Sequence, residues 1–176
     1  MNLPNKLTIL RMIMVPFFIA AFMSGKYLIA LIIFAAASLT DFFDGQIARK
    51  QNLVTNFGKI MDPLADKILV YSALCLFLEN DYIKGWMLII ILAREFVIAG
   101  MRTVAASEGK VLAAGMSGKI KTALQMFAVC IMMLGLALPA HKIIFDIGYY
   151  VFLASLVMTV YSGCEYVIKN KEVFSM

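Results

Sequence analysis

Apolar residues run along this chain in six stretches, each about as long as a helix that crosses a bilayer. They cover Leu7 to Met23, Tyr27 to Ala48, Phe57 to Leu78, Ile83 to Ala106, Ala113 to Leu138 and Ile143 to Ile168. Turn-forming residues separate them: Ser24-Gly25, Asn52 to Asn56, Glu79-Asn80-Asp81, Ser107-Glu108-Gly109 and Pro139. No repeat or low-complexity tract intervenes. The pattern predicts an all-α integral membrane protein, with six transmembrane helices in a single domain spanning residues 1–176.

Composition agrees. Of the 176 residues, 62% are hydrophobic and 15% charged, and mean hydropathy is +0.88, which leaves too little polar surface to cover a soluble domain of this size. The first stretch has Lys6 in front and small residues behind, as a signal peptide would. Arg11 interrupts it and no clear A-x-A cleavage site follows, so it reads as a transmembrane helix.

Charge sets the orientation. Thirteen of the sixteen lysines and arginines fall on one side of this topology, leaving Lys26, Lys84 and Lys142 on the other. Cytoplasmic loops carry the positive excess, so both termini are expected in the cytoplasm. Trp86 and Tyr149-Tyr150 then fall at the outer interface, where amphipathic rings belong. The net charge of +5 gathers at membrane edges rather than in a solvated basic run, which points to anionic headgroups or phosphorylated substrates and away from nucleic acid. Cys75, Cys130 and Cys164 stand alone in apolar stretches, with no CxxC, and read as small buried hydrophobes. His141, the single histidine, reads as a loop residue.

Against this background four aspartates stand out: Asp41-x-x-Asp44-Gly45-x-x-Ala48-Arg49, then Gly58-x-x-x-Asp62-x-x-x-Asp66. Spacings of three and four place each pair on one helix face. Carboxylates in or beside a bilayer need strong compensating charge. Oxygen donors without His or Cys suit Mg²⁺ or Mn²⁺, and two such ions on a diphosphate are a route to phosphoryl transfer. The plainer alternative is a set of acids neutralised by local lysines such as Lys59 and Lys67. Gly45 and Gly58 leave room for close approach, and the Arg49 fork suits phosphate.

The run D-x2-D-G-x2-A-R-x8-G-x3-D-x3-D resembles the signature of the CDP-alcohol phosphotransferases, with every position present from Asp41 to Asp66. The resemblance implies a six-helix membrane fold, usually a homodimer, that binds two divalent cations. It implies metal ligation by Asp41, Asp44 and Asp62, with Asp66 both ligand and general base. Gly45, Ala48, Arg49 and Gly58 would shape the cytidine diphosphate pocket.

Two further segments bear on the acceptor. Leu3-Pro4-Asn5-Lys6-Leu7-Thr8-x-x-Arg11, and Ala93-Arg94-Glu95-Phe96 with Arg102, Gly115, Gly118-Lys119-Ile120-Lys121-Thr122 and Gln125, resemble the bacterial phosphatidylglycerophosphate synthases. That resemblance covers residues 2 to about 125, and the sixth helix adds little beyond hydrophobicity. It implies transfer of the phosphatidyl group from CDP-diacylglycerol to glycerol 3-phosphate, at an active site facing the cytoplasm from the bacterial cell membrane.

The residues agree with a phosphorylated acceptor. Arg94 lies eight residues from Trp86, roughly 12 Å along a helix, and an arginine that deep needs a polar cavity and a partner. Glu95 is not the expected partner, because adjacent helical residues diverge by about 100°. Arg102, Lys119 and Lys121 complete a candidate phosphate pocket, or else snorkel to headgroups as Lys110 is expected to do. Helical geometry does not let Lys119 and Lys121 both face inward, and Lys121 shares a face with Gly118 and Gln125. Asn5, Thr8 and Arg11 either contact the nucleotide or cap the first helix.

Rival readings are a family enzyme using serine, inositol phosphate or phosphatidylglycerol as acceptor, and a transporter of divalent metals or organic phosphates. Serine would not need several deep cations. A transporter site would sit near the midplane on interrupted helices, often with repeats.

Overall fold

The computed structural model describes residues 3–50, 56–110, 112, 113 and 115–175; for 3–6, 41–50, 56–60, 62, 63, 66, 139, 174 and 175 the description is of the backbone alone. Six α-helices follow the six apolar stretches: α1 (Leu3–Met23), α2 (Tyr27–Lys50), α3 (Asn56–Glu79), α4 (Gly85–Ser107), α5 (Met116–Ala137) and α6 (Lys142–Lys169). Two short 3-10 turns, Pro139–His141 and Lys171–Ser175, bracket α6, and there is no strand among the described residues.

The turn residues end the helices by a common device. Gly25 and Gly109 adopt the left-handed conformation, φ +71° and +74°. Each donates its N–H three residues back, while the following N–H reaches five back: Lys26 to the Ala21 carbonyl, Lys110 to that of Ala105. This closure satisfies carbonyls that a helix end leaves orphaned. Asp81, φ 59°, plays the same part after α3, with Tyr82 N–H on the Phe77 carbonyl. The breaks at Ser24-Gly25, Asn80-Asp81 and Glu108-Gly109 are therefore real helix ends, and most of Asn52 to Asn56 lies outside the described residues.

The start of α1 departs from expectation. The helix begins at Leu3 rather than Leu7, since Pro4 is tolerated in a first turn where its missing N–H would have no helical partner. Thr8 is thus buried inside the helix and does not cap it. Arg11 is also inside α1 and buried, and its Nε donates to the Ala37 carbonyl of α2 at 3.2 Å, one turn before Asp41.

Helix α5 packs most extensively on α6, α1 lies against both α2 and α3, and α4 rests on α6. The α5–α6 contact needs glycine: a Cβ on Gly135 would come 2.5 Å from the Phe145 nitrogen, and one on Gly148 would come 2.7 Å from that of Met132. The apolar core lies toward the ends joined by the α1–α2 and α3–α4 turns. There Phe18, Phe22, Phe34 and Phe77 interlock at centroid distances of 5.7–6.3 Å, and Tyr27, Tyr82 and Phe145 extend the ring cluster. A second, smaller cluster joins Ile98, Met101 and Ala105 of α4 to Tyr166 of α6 and to Val173.

Large apolar side chains also cover the outside, among them Phe17, Ile32, Ile89, Phe96, Phe127, Ile143 and Val157. Such a surface belongs against lipid. Among the described residues, α5 and α6 are long and apolar enough to cross a bilayer. Cys75 and Cys164 are exposed on this surface, not buried, because a lipid-facing position rewards an apolar side chain as a core position does. His141 is exposed in the turn before α6.

Candidate active site

Helix polarity brings the C-terminal turns of α2, which carry Asp41, Asp44, Gly45, Ala48 and Arg49, to the same end of the bundle as the N-terminal turns of α3, which carry Gly58, Asp62 and Asp66. The side chains of these eight residues, and that of Asn5 in α1, lie outside the described set. The donor chemistry of that site is therefore read from the sequence: four carboxylates on two neighbouring helices, which suit a hard divalent cation. Among the described residues, no other group of three His, Cys, Asp or Glu could hold a metal.

At this same end a cavity of about 910 Å³ opens between α3, α4, α5 and α6. Leu64 and Lys67 of α3, which flank Asp66 in sequence, form part of its wall. Arg94, Glu95 and Arg102 enter from α4, Ser117 and Lys119 from α5, and Ser162, Glu165, Tyr166 and Lys169 from α6. Five cationic side chains thus face two carboxylates in one space, an arrangement that attracts a small polyanion.

Arg94 is the best-held of these groups. Its Nη1 donates to Glu95 Oε1 at 2.7 Å and its Nη2 to Ser162 Oγ at 3.1 Å, tying α4 to α6. Two glycines make the groove in which it lies: a Cβ on Gly163 would sit 3.0 Å from Arg94 Cγ, and one on Gly118 would sit 3.1 Å from Nη2. Arg94 therefore has the polar cavity and the partner that its depth demands. Glu95 is that partner, against expectation. The two Cα–Cβ directions diverge, but the arginine stem is long enough to bring the guanidinium back to its neighbour's carboxylate.

Glu95 is the hub. Besides Arg94, its Oε1 accepts from Lys121 Nζ of α5 at 2.9 Å, and Lys67 Nζ of α3 lies 3.2 Å from Oε2. Lys67, set down as a neutraliser of the aspartates, is thus engaged with Glu95. Lys121 faces inward as its shared face with Gln125 foretold, and both are buried. Its ammonium sits behind the cavity wall on Glu95, whereas the exposed Lys119 lines the cavity itself. Both lysines belong to the site at different depths, because the cavity is wide enough to meet one side of α5 while the bundle buries the next.

Arg102 donates through Nε to the Tyr166 hydroxyl at 3.1 Å, with its guanidinium carbon 5.5 Å above that ring. Tyr166 of α6 thus holds this exposed arginine against the wall. Glu165 accepts from Ser117 and from Lys169, so the mouth of the cavity carries a self-neutralised pair. Helix α6, which had seemed only hydrophobic, supplies Ser162, Gly163, Glu165, Tyr166 and Lys169. Its signal was in the chain: Ser155, Thr159, Ser162 and Tyr166 recur every three or four residues, a buried polar stripe on one face.

Comparison with known proteins adds to this geometry. Relatives align over nearly the whole chain. A Bacillus subtilis protein named CDP-diacylglycerol–glycerol-3-phosphate 3-phosphatidyltransferase is 43% identical, with 97% of this chain and 96% of that one covered. A Rickettsia felis protein of the same name is 38% identical, with 98% and 97% covered. A Mycobacterium tuberculosis protein named probable phosphatidylglycerophosphate synthase is 37% identical, covering 96% of this chain and 81% of its own. Residues 1–161 match the CDP-alcohol phosphatidyltransferase family, and the chain belongs to that family.

Proposed function

We propose that this protein transfers the phosphatidyl group of CDP-diacylglycerol to glycerol 3-phosphate, releasing CMP and forming phosphatidylglycerol phosphate. The observation that carries the proposal is the cationic cavity built around Lys67, Arg94, Arg102 and Lys119, which shares helix α3 with Asp62 and Asp66. A neutral acceptor such as serine gives no reason to gather such charge in an apolar bundle, whereas a phosphomonoester does. The names of the relatives point the same way.

In this reading all six helices span the membrane, both termini lie in the cytoplasm, and the aspartates and the cavity open at the cytoplasmic boundary. The protein sits in the bacterial cell membrane as a homodimer. Asp41, Asp44, Asp62 and Asp66 would hold two Mg²⁺ or Mn²⁺ ions, which when bound neutralise the diphosphate and the departing CMP. Gly45, Ala48, Arg49 and Gly58 shape the nucleotide pocket, and Asn5 and Thr8 border it on α1. The acyl chains remain in the bilayer.

The chain's own groups do the rest. Arg94, Lys67, Arg102 and Lys119 bind the phosphate of glycerol 3-phosphate and turn its free primary hydroxyl toward α3. Asp66 takes the proton of that hydroxyl. The oxygen bonds to the phosphorus bearing the diacylglycerol as the bond from that phosphorus to the CMP oxygen breaks. The test is CMP release by the purified protein from CDP-diacylglycerol with each candidate acceptor. Release with glycerol 3-phosphate alone is expected, and release with serine, inositol phosphate or phosphatidylglycerol instead would overturn the acceptor assignment.

A further inference from the structure

We infer that Glu95, locked by the buried Lys121, is a positioning residue that presents Arg94 and Lys67 to the acceptor phosphate, and that Lys121 itself never touches the acceptor. The inference rests on the acceptor reading above and adds to it which groups bind and which only hold.

Both oxygens of Glu95 are engaged, by Arg94 and Lys121 on Oε1 and by Lys67 on Oε2, at 2.7–3.2 Å. The three cations come from three different helices, α4, α5 and α3, and Arg94 continues through Ser162 to α6. One carboxylate thus fixes the mutual placement of every helix that walls the cavity. Without it, three like charges would share a small space.

The two lysines of Glu95 differ in access. The side chain of Lys67 is 42% exposed, within the cavity wall, while that of Lys121 is 4% exposed and absent from the wall. A buried ammonium so placed serves its carboxylate and cannot reach a ligand without breaking the pair. Three cations against one carboxylate leave the cluster positive, and with Arg102, Lys119 and Lys169 in the same wall the pocket keeps the excess of positive charge that a phosphomonoester needs.

Substitutions separate holding from mere folding. Glu95→Gln leaves Lys121 buried without a counter-ion, so it should lower the melting temperature in detergent. The double variant Glu95→Gln/Lys121→Met removes both charges at similar volume and should restore most of that loss, as replacement of a buried pair often does. A purely structural pair predicts that the KM for glycerol 3-phosphate recovers along with stability. The positioning role predicts that the double variant keeps a KM for glycerol 3-phosphate raised about tenfold or more, because Arg94 and Lys67 have lost their anchor. The KM for CDP-diacylglycerol stays within about twofold in this account.

A stable double variant with the wild-type KM for glycerol 3-phosphate would overturn the inference. So would a conservative Lys121→Arg variant, stable and paired, whose KM rises as much as that of Lys121→Met, since that would make the ammonium a direct ligand. Wild-type protein assayed alongside keeps the two readings apart: if it turns over another acceptor and not glycerol 3-phosphate, the acceptor assignment falls and this inference with it. If wild-type protein uses glycerol 3-phosphate normally and the double variant matches it, the role of Glu95 alone falls.

Discussion

The two ends of the helix bundle are built on opposite principles. At one end, the buried Phe18, Phe22, Phe34 and Phe77 pack in tilted and edge-on pairs and bring no polar group of their own to satisfy. At the other, Arg94, Lys67 and Lys121 meet Glu95, Glu165 meets Lys169, and Arg102 is held by Tyr166, all around one cavity. The aromatic end gains from contact alone, so it tolerates any residues that fill it. Charges in an apolar bundle need partners, so Glu95 at the charged end constrains Arg94, Lys67 and Lys121 together.

Substitutions of the groups proposed to meet the substrates should change turnover with the fold intact. The largest effect is expected for Asp66→Asn, which keeps the helical circular dichroism of the wild type yet loses about a hundredfold or more in kcat through loss of the base. Near wild-type turnover in that variant would remove Asp66 from the role. Chelation of divalent cations should stop CMP release, and added Mg²⁺ or Mn²⁺ should restore it. Arg94→Ala should raise the KM for glycerol 3-phosphate about tenfold or more and hardly alter that for CDP-diacylglycerol. Equal increases in both would make Arg94 a structural residue.

A gentler change tests the groove. Gly163→Ala places a methyl 3.0 Å from Arg94 Cγ and should raise the same KM by a few-fold, about what a displaced but intact guanidinium would give. At the aromatic end the expectation reverses. Phe22→Ala should cost about 3 kcal/mol of stability, read as a lower melting temperature in detergent, while both KM values per folded molecule stay as they were.

How far the sequence reveals each end follows from the same contrast. Helices are legible because length and hydropathy are local properties, and their ends because Gly25, Asp81 and Gly109 close them with contacts inside five residues. The start of α1 is less legible, because the apolar stretch begins only at Leu7 while a first helical turn also accepts Pro4, Asn5 and Lys6. The aspartate pattern is legible because its spacing is local to two adjacent helices, and its side chains lie outside the described residues.

The cationic cavity is only half legible. Arg94, Arg102 and Lys119 announce themselves as charges in or beside apolar stretches. Their partners are long-range: Ser162 is 68 residues from Arg94, Tyr166 is 64 from Arg102, and Glu95 is 26 from Lys121. No spacing rule pairs residues on different helices. Glu95 was dismissed on a local rule, the divergence of neighbours, that a flexible arginine does not obey. The same long-range packing hid the contribution of α6.

The central claim is the identity of the acceptor, and the most direct measurement is CMP release by purified protein supplied with CDP-diacylglycerol, Mg²⁺ and one acceptor at a time. The account predicts release with glycerol 3-phosphate and none with serine, inositol phosphate or phosphatidylglycerol. Release with one of those instead, or with none of the four from a folded, metal-loaded sample, would contradict it.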